Sequence, residues 1–275
     1  MTSRPYTVVS FHAHPDDEAL LTAGTLAAAA QAGHRVVLVT ATAGELGLTS
    51  SELATGGRLA GRRIDELRAA AATLGCARVE LLGYADSGMR GESSDPDAFA
   101  RADVATAAGR LADLLHEEQA DVLTVYDANG GYGHPDHVQV HRVGTAAARL
   151  AGTPVVLEAT VDADLLRRVL RAVTRVRRLA GLQPPLGTQS LFTPRAQLTH
   201  RVDVTRQLSA KRAALSAHAT QRQADGADRT IAWFLRLPRP LFRLVFRSEW
   251  FTEQGRAPGG RLEGDIFASL RGARR

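Results

Sequence analysis

Over the first 160 residues, short apolar runs rich in β-branched side chains alternate with longer stretches in which apolar positions recur three and four apart. The runs Tyr6–His12 (YTVVSFH), Arg35–Thr42 (RVVLVTAT), Arg78–Tyr84 (RVELLGY), Asp121–Tyr126 (DVLTVY) and Pro154–Ala159 (PVVLEA) predict strands. Between them, Glu18–Ala32, Arg58–Leu74, Phe99–Glu118 and Asp136–Ala151 carry the helical period and end in glycine or polar breaks. This alternation predicts an α/β fold, a Rossmann-like parallel sheet with helices on both faces. Polar stretches at Gly44–Gly57 and Ala85–Ala98 follow the second and third strands, where open α/β sheets place their ligands. After about residue 160 the pattern weakens to helices near Ala163–Leu179 and Val204–Thr220, a Pro/Gly break at Gly181–Gly187 and an irregular tail. Residues 1–160 therefore read as the core, and 161–275 as an appended Arg-rich C-terminal subregion packed on it.

Composition narrows the picture. At 44% hydrophobic and 23% charged, the 275 residues suit an ordinary globular chain, which excludes collagen, coiled coil and disorder. A single cysteine, Cys76, excludes a disulfide framework and a thiolate metal site, so any metal must use His and carboxylates. Residues 1–160 hold 12 basic and 20 acidic residues, while 161–275 hold 22 and 9. The basic charge is nearly all Arg, with Lys211 the only lysine, a bias that GC-rich coding explains as well as function does. An anionic partner such as a membrane surface, met weakly by the basic tail, is the functional counterpart. Ile231–Phe246 (IAWFLRLPRPLFRLVF) has an interfacial composition, but Pro238 and Pro240 favour a bent segment closing over the core. The N-terminus has no signal-peptide pattern and Ala19–Ala30 is too short and interrupted to span a bilayer, so a cytoplasmic protein is expected.

The chemistry concentrates in two places. The first strand runs into His14-Pro15-Asp16-Asp17-Glu18, where a dinucleotide-binding protein would have its glycine-rich turn. Three consecutive acids at a helix N-terminus repel one another, and a helix dipole offsets far less of that than a divalent cation does. After the fourth strand comes Tyr132-Gly133-His134-Pro135-Asp136-His137, with His141 a turn further on. Two His-Pro-Asp tripeptides, each opening a helix with Pro in its first turn, meet if strands one and four are neighbours. Catalytic zinc takes three N and O ligands and acidifies a water, with a further group to accept the proton and another to face the oxyanion. Asp16 or Asp17, and His134 or His137, are the spare members. Iron(II) in place of zinc suits the same donors.

These two motifs resemble the LmbE-like, or PIG-L, N-acetylglucosaminyl deacetylase family, marked by AHPDDE after the first strand and HPDH later. The segment Tyr126–Gly133 ahead of the second motif looks most like the mycothiol-pathway deacetylase and its sister amidase. The resemblance implies that His14, Asp17 and His137 hold zinc and that Asp16 is the general base. It further implies that His134, oriented by Asp136 and assisted by Tyr132, faces the oxyanion as a cation or acid. Arg63, Asp86 of Asp86-Ser87-Gly88-Met89, and Glu45 become the residues that line the sugar. The expected activity is removal of the acetyl group from an N-acetylated, GlcNAc-type amino sugar or its conjugate, a small-molecule substrate. The alternative is cleavage of a larger acyl group from a thiol conjugate or a glycosylated natural product. A non-enzymatic membrane- or nucleic-acid-binding module leaves both His-Pro-Asp clusters without purpose. His218 in Lys211–Gln221 is read as a cap on the pocket or a structural hydrogen-bonding residue, His12 as a satisfied core histidine, and His141 as a supporting residue behind His137.

Overall fold

The structure is a computed structural model that describes residues 4–46, 58–179, 192–222 and 230–272. The loop expected at Gly44–Gly57 lies outside the described residues from residue 47 onward, and the break expected at Gly181–Gly187 lies wholly outside them.

Seven strands form one sheet: β1 (Thr7–His12), β2 (Arg35–Thr42), β3 (Arg78–Tyr84), β4 (Val122–Tyr126), β5 (Val155–Thr160), β6 (His200–Asp203) and β7 (Ser248–Glu253), in the order β3-β2-β1-β4-β5-β7-β6. The first five are parallel and coincide with the predicted runs to within a residue at each end. The α/β fold is therefore present, but its sheet is mixed. β7 pairs antiparallel with β5 and β6 antiparallel with β7, so the tail expected to be irregular supplies β7, and the stretch just ahead of the expected Val204–Thr220 helix supplies β6. β7 escapes a hydrophobic pattern because SEWFTE buries two acids, Glu249 and Glu253, among its apolar positions.

The helices are α1 (Asp17–Leu21), α2 (Ala23–Gln31), α3 (Arg58–Leu74), α4 (Val104–Glu117), α5 (Gly130–Gly133), α6 (Pro135–Ala151), α7 (Ala163–Leu179), α8 (Leu208–Ala217), α9 (Ala219–Arg222), α10 (Thr230–Arg236), α11 (Arg239–Phe246) and α12 (Ala268–Gly272). Alternate strand positions feed opposite faces, as the two-residue period requires. Val9, Phe11, Val37 and Val39 pack with Leu111 and Leu115 of α4 and Val140 and Val143 of α6. Val8, Val36 and Val122 face the other way, onto Leu26 of α2, Phe251 and Ile266. Three predicted helices change at their ends or middle. The stretch Glu18–Ala32 divides at Thr22, whose backbone leaves helical geometry while its hydroxyl donates to the Glu18 carbonyl. Phe99–Glu118 becomes a 3₁₀ turn at Phe99–Arg101 followed by α4, which Asp103 caps by accepting from the Thr106 amide at 2.8 Å. The late helix breaks at His218 into α8 and α9.

One contact fixes the helix that carries the second motif. A Cβ at Gly144 would lie 2.3 Å from Val125 Cγ1, so only glycine lets α6 seat this closely on β4. Among the described residues no helix is long and apolar enough to cross a membrane.

Candidate active site

β1 and β4 are hydrogen-bonded neighbours, with Val8 opposite Val122, at the point where strand order reverses. Their carboxyl ends deliver the two His-Pro-Asp turns to one place. The loop after β3 adds Asp86.

His14 sits at the centre, buried. Its Nδ1 lies 3.4 Å from Asp17 Oδ2, and its Nε2 lies 3.1 Å from Asp136 Oδ2 and 3.4 Å from Asp86 Oδ1. Asp17 Oδ2 is also 3.4 Å from His137 Nε2, so this carboxylate bridges the two imidazoles. The ring of His134 lies 4.7 Å from that of His14 and 5.2 Å from that of His137. Tyr126, ending β4, stacks on His137 at 4.3 Å and fixes its plane. Tyr132, half exposed at the edge, brings its hydroxyl to 3.5 Å from His137 Nε2.

Two sets of residues can each offer one donor atom within 4.8 Å of the others: His14, His134 and His137; and His14, Asp86, His134 and Asp136. The family-implied set shares His14 and His137 with the first of these, while Asp17 belongs to neither set and lies 3.4 Å from both imidazoles through Oδ2. A cation fits this chemistry. Imidazoles and carboxylates are its preferred donors, and the buried Oδ1 of Asp136 has no hydrogen-bond partner, an expensive state for a buried carboxylate. Burial works against a charge on His14, yet the carboxylates of Asp136, Asp17 and Asp86 outweigh it and lift its pKa well above the usual imidazole range. Asp86 is held well below the ordinary carboxylate range for the converse reason, its bond to His14 overcoming burial. The pocket thus attracts positive charge.

Asp16 differs from its neighbour. Its φ of 112° lies in the left-handed region, a conformation that Asp tolerates better than most residues but still pays for. Four hydrogen bonds enforce it. Arg63 Nη2 donates to the Pro15 carbonyl at 2.7 Å and to Asp16 Oδ2 at 3.3 Å; the Asp16 amide donates to Glu18 Oε2 at 3.0 Å; and the Ala19 amide donates to the Asp16 carbonyl at 3.1 Å. Burial raises the Asp16 pKa to about 6, against the pull of Arg63.

Several sequence-derived residues stand differently from their implied surroundings. The Asp136 carboxylate faces His14 and accepts from the Ser87 amide at 3.0 Å, whereas only its backbone amide reaches His134, donating to Nδ1 at 3.1 Å. The reason is local: His134 is the N-cap of α6, so its ring turns back onto the second amide of the helix. Arg63 is buried with its guanidinium on the carbonyls of Gly44 and Pro15. Glu45 Oε1 accepts from the Asp86 amide at 2.8 Å, and Asp86 Oδ2 accepts from the Leu46 amide at 3.2 Å, so these two form one loop-to-loop clasp. His12 is satisfied by Ser10, Thr22 and Tyr126, and burial drops its pKa to about 4. His141 Nδ1 lies 3.0 Å from the Tyr126 carbonyl, behind the residue that stacks on His137.

Sequence reasoning missed Tyr126 and the partner of Glu18. His218 Nε2 lies 2.6 Å from Glu18 Oε1, both residues fully buried. The only available signal was the buried acid in the first motif, which must find a counter-charge somewhere. Asp127 was also missed; its Oδ1 accepts from the Gly131 amide at 2.9 Å and its Oδ2 from Thr160 Oγ1 at 2.6 Å, shaping the turn that presents Tyr132 and His134.

A buried imidazole–carboxylate cluster beside a strained acid, at the switch point of a doubly wound sheet, defines a hydrolytic site able to hold a cation. Residues 9–148 match the family model described as GlcNAc-PI de-N-acetylase (PIG-L), and the chain belongs to that family. It is a deacetylase, an amide hydrolase. A 1D-myo-inositol 2-acetamido-2-deoxy-α-D-glucopyranoside deacetylase from Catenulispora acidiphila is 38% identical, the match covering 98% of each chain. In three dimensions the chain is similar to the N,N′-diacetylchitobiose deacetylase of Pyrococcus horikoshii, with a TM-score of 0.58 at 22% identity over 92% of this chain and 84% of that one. It is equally similar to a 4-carboxy-2-hydroxymuconate hydratase of Pseudomonas putida, with a TM-score of 0.59 at 18% identity over 94% and 99%. The fold alone thus serves more than one chemistry, and the sequence family carries the assignment.

Proposed function

We propose that the enzyme is zinc-dependent, with iron(II) the alternative metal, and that it removes the acetyl group from a GlcNAc-type amino sugar conjugated to a polyol such as inositol. The observation that carries this reading is the pairing of a cation-seeking cluster with Asp16, a single strained carboxylate whose proton affinity lies near neutrality. The inositol conjugate is favoured because the relative from Catenulispora acidiphila, matched end to end, is named for that substrate.

In this reading His14, Asp17 and His137 hold the metal, which when bound supplies a Lewis acid for the acetyl carbonyl and lowers the pKa of a water. Asp16 accepts the water's proton and is poised for it by burial, with Arg63 keeping its carboxylate aimed. His134 receives the Asp136 amide on Nδ1, which leaves Nε2 to carry a proton toward the oxyanion. Tyr132 adds its hydroxyl from the rim, and Asp136 acts on His14 rather than on His134 through its side chain. The proton taken by Asp16 leaves on the departing amine, giving acetate and a free amino sugar. Arg63, Asp86 and Glu45 shape the sugar end of the pocket through the loops that they tie. Residues 1–160 supply these groups, and 161–275 brace them. The substrate is a small molecule and the setting cytoplasmic.

The test is release of primary amine and acetate from N-acetylglucosaminyl-inositol by protein loaded with zinc, with a bulky thiol-conjugate amide assayed in parallel. Asp16→Ala is expected to lose at least about 10²-fold in kcat while retaining zinc. Unchanged turnover in that variant overturns the base assignment. Cleavage of the bulky amide alone makes the enzyme an amidase instead.

A further inference from the structure

Helices α10 and α11 are apolar on two sides. One side is accounted for: Ile231, Phe242 and Phe246 are buried in a cluster with Ala23, Leu74 and Leu215, and the Phe234 and Phe246 rings meet at 4.8 Å. The bent segment does close over the core, breaking at Pro238 with Pro240 in the first turn of α11. The other side is open. Trp233, Leu241, Leu244 and Val245 are between 49% and 65% exposed, and they make up four of the ten exposed large hydrophobic residues described. Leu241, Leu244 and Val245 are spaced i, i+3, i+4, one stripe of a helix. Arg239, Arg243 and Arg247 follow at intervals of four, a second stripe flanking the first, and Arg236 lies one turn from Trp233.

The charge along these two helices is of one sign, although the Asp203 carboxylate of β6 lies near enough to feel Arg247. From Thr230 to Ser248 the sequence contains four arginines and no acid. Among the described residues none of the four makes an ion pair, whereas Arg35, Arg63, Arg78, Arg195 and Arg256 elsewhere in the chain all do. Exposed Trp and Leu beside unpaired arginines match the two layers of an anionic bilayer, acyl boundary and phosphate, better than they match water. We infer that the α10–α11 face docks the enzyme on an anionic lipid bilayer. Trp233, Leu241, Leu244 and Val245 enter the interface, and Arg236, Arg239, Arg243 and Arg247 meet the headgroup phosphates. This goes beyond the deacetylase reading and does not depend on it, since no residue of the face belongs to the catalytic cluster.

The test is co-sedimentation of the full-length protein with vesicles of phosphatidylcholine alone or mixed equally with phosphatidylglycerol, at low and high salt. Binding is expected on the mixed vesicles only and should fall as salt rises. Arg239→Gln with Arg243→Gln should weaken it about twenty-five-fold, from about fivefold per arginine near an anionic surface. Leu241→Ser with Leu244→Ser should abolish it with amine release from soluble substrate unchanged, which shows that the fold is intact. Trp233 emission should shift to the blue on mixed vesicles, a signal that Trp233→Phe removes, since Trp250 is buried. Equal partition onto both vesicle types, or binding that neither pair of substitutions changes, overturns the inference. So does a lipid-free dimer that Leu244→Ser dissolves, because the face then belongs to a second copy of the chain.

Discussion

Replacing Lys211, the only lysine in the chain, tests how the C-terminal residues hold the first motif. Lys211 is 1% exposed and Glu249 3%. Its ammonium donates to Glu249 Oε1 at 2.6 Å and to the Leu20 carbonyl at 2.8 Å, while Glu249 accepts from the Gly24 and Thr25 amides at 2.8 Å each. Breaking a buried pair by removing one partner costs about 3–5 kcal/mol, because the remaining charge stays out of water. In Lys211→Met, Glu249 keeps two amides and the favourable end of the α2 dipole, so the expected loss is near the low end, about 3 kcal/mol. For a chain of 275 residues that corresponds to a fall in Tm of about 5 °C. Urea unfolding should show a lower midpoint with unchanged slope. Adding Glu249→Gln to Lys211→Met should recover part of the loss, since no buried charge then remains. A single-variant loss under about 1 kcal/mol would refute the reasoning, showing that the amides alone satisfy the carboxylate.

Three more outcomes follow from the geometry. Gly130→Ala puts a Cβ 2.7 Å from the Val138 amide nitrogen at a φ of 64°, so it should cost about 1–3 kcal/mol in urea unfolding and lower kcat by disturbing Tyr132 and His134. His200 is buried and its pKa is lowered by that burial, Glu253 opposing only in part; the unfolded chain therefore binds the proton first, and this residue's contribution is full above the unfolded value of 6.5 and is lost as pH falls below it. Wild type and His200→Gln should accordingly differ most in urea midpoint near pH 7.5 and converge toward pH 5, and a constant difference contradicts the assignment. Zinc added to chelator-treated protein should raise Tm, by the equivalent of about 2.7 kcal/mol at a hundredfold excess over Kd, and His14→Ala should abolish the rise.

The parallel half of the fold was legible because its central strands are buried on both faces and so read as unbroken β-branched runs, such as Arg35–Thr42 with seven consecutive buried positions. The candidate site was legible wherever chemistry is local in sequence: the two His-Pro-Asp turns announce themselves, and adjacency of β1 and β4 joins them. What stayed hidden depends on distance along the chain. Nothing in the period of SEWFTE shows that Glu249 and Glu253 are buried, because their partners, Lys211 and Ser269, come from elsewhere. Asp86 could be placed after the third strand, but not 3.4 Å from His14. The resemblance implied that Asp136 orients His134, whereas its carboxylate lies 3.1 Å from His14 Nε2 and only its backbone amide reaches His134.

The same distinction bears on why the first motif keeps its shape. Asp16 holds an unfavourable φ, and such a conformation survives only where the surroundings over-determine it. Arg63 grips it from α3, and Glu18 grips its amide, yet Glu18 is itself a fully buried carboxylate that would be costly without His218. Two turns further along, Glu249 caps α2 and Lys211 binds the carbonyl of Leu20 at the end of α1. Residues after 160 thus reach the segment 16–25 at four points, and each contact neutralises a charge or satisfies a helix end. The Asp16 carboxylate, the base in the proposed function, is therefore aimed by side chains that no local pattern connects to it, which is why, on that proposal, His218, though outside contact with Asp16, should influence kcat more than the exposed arginines of its own half of the chain.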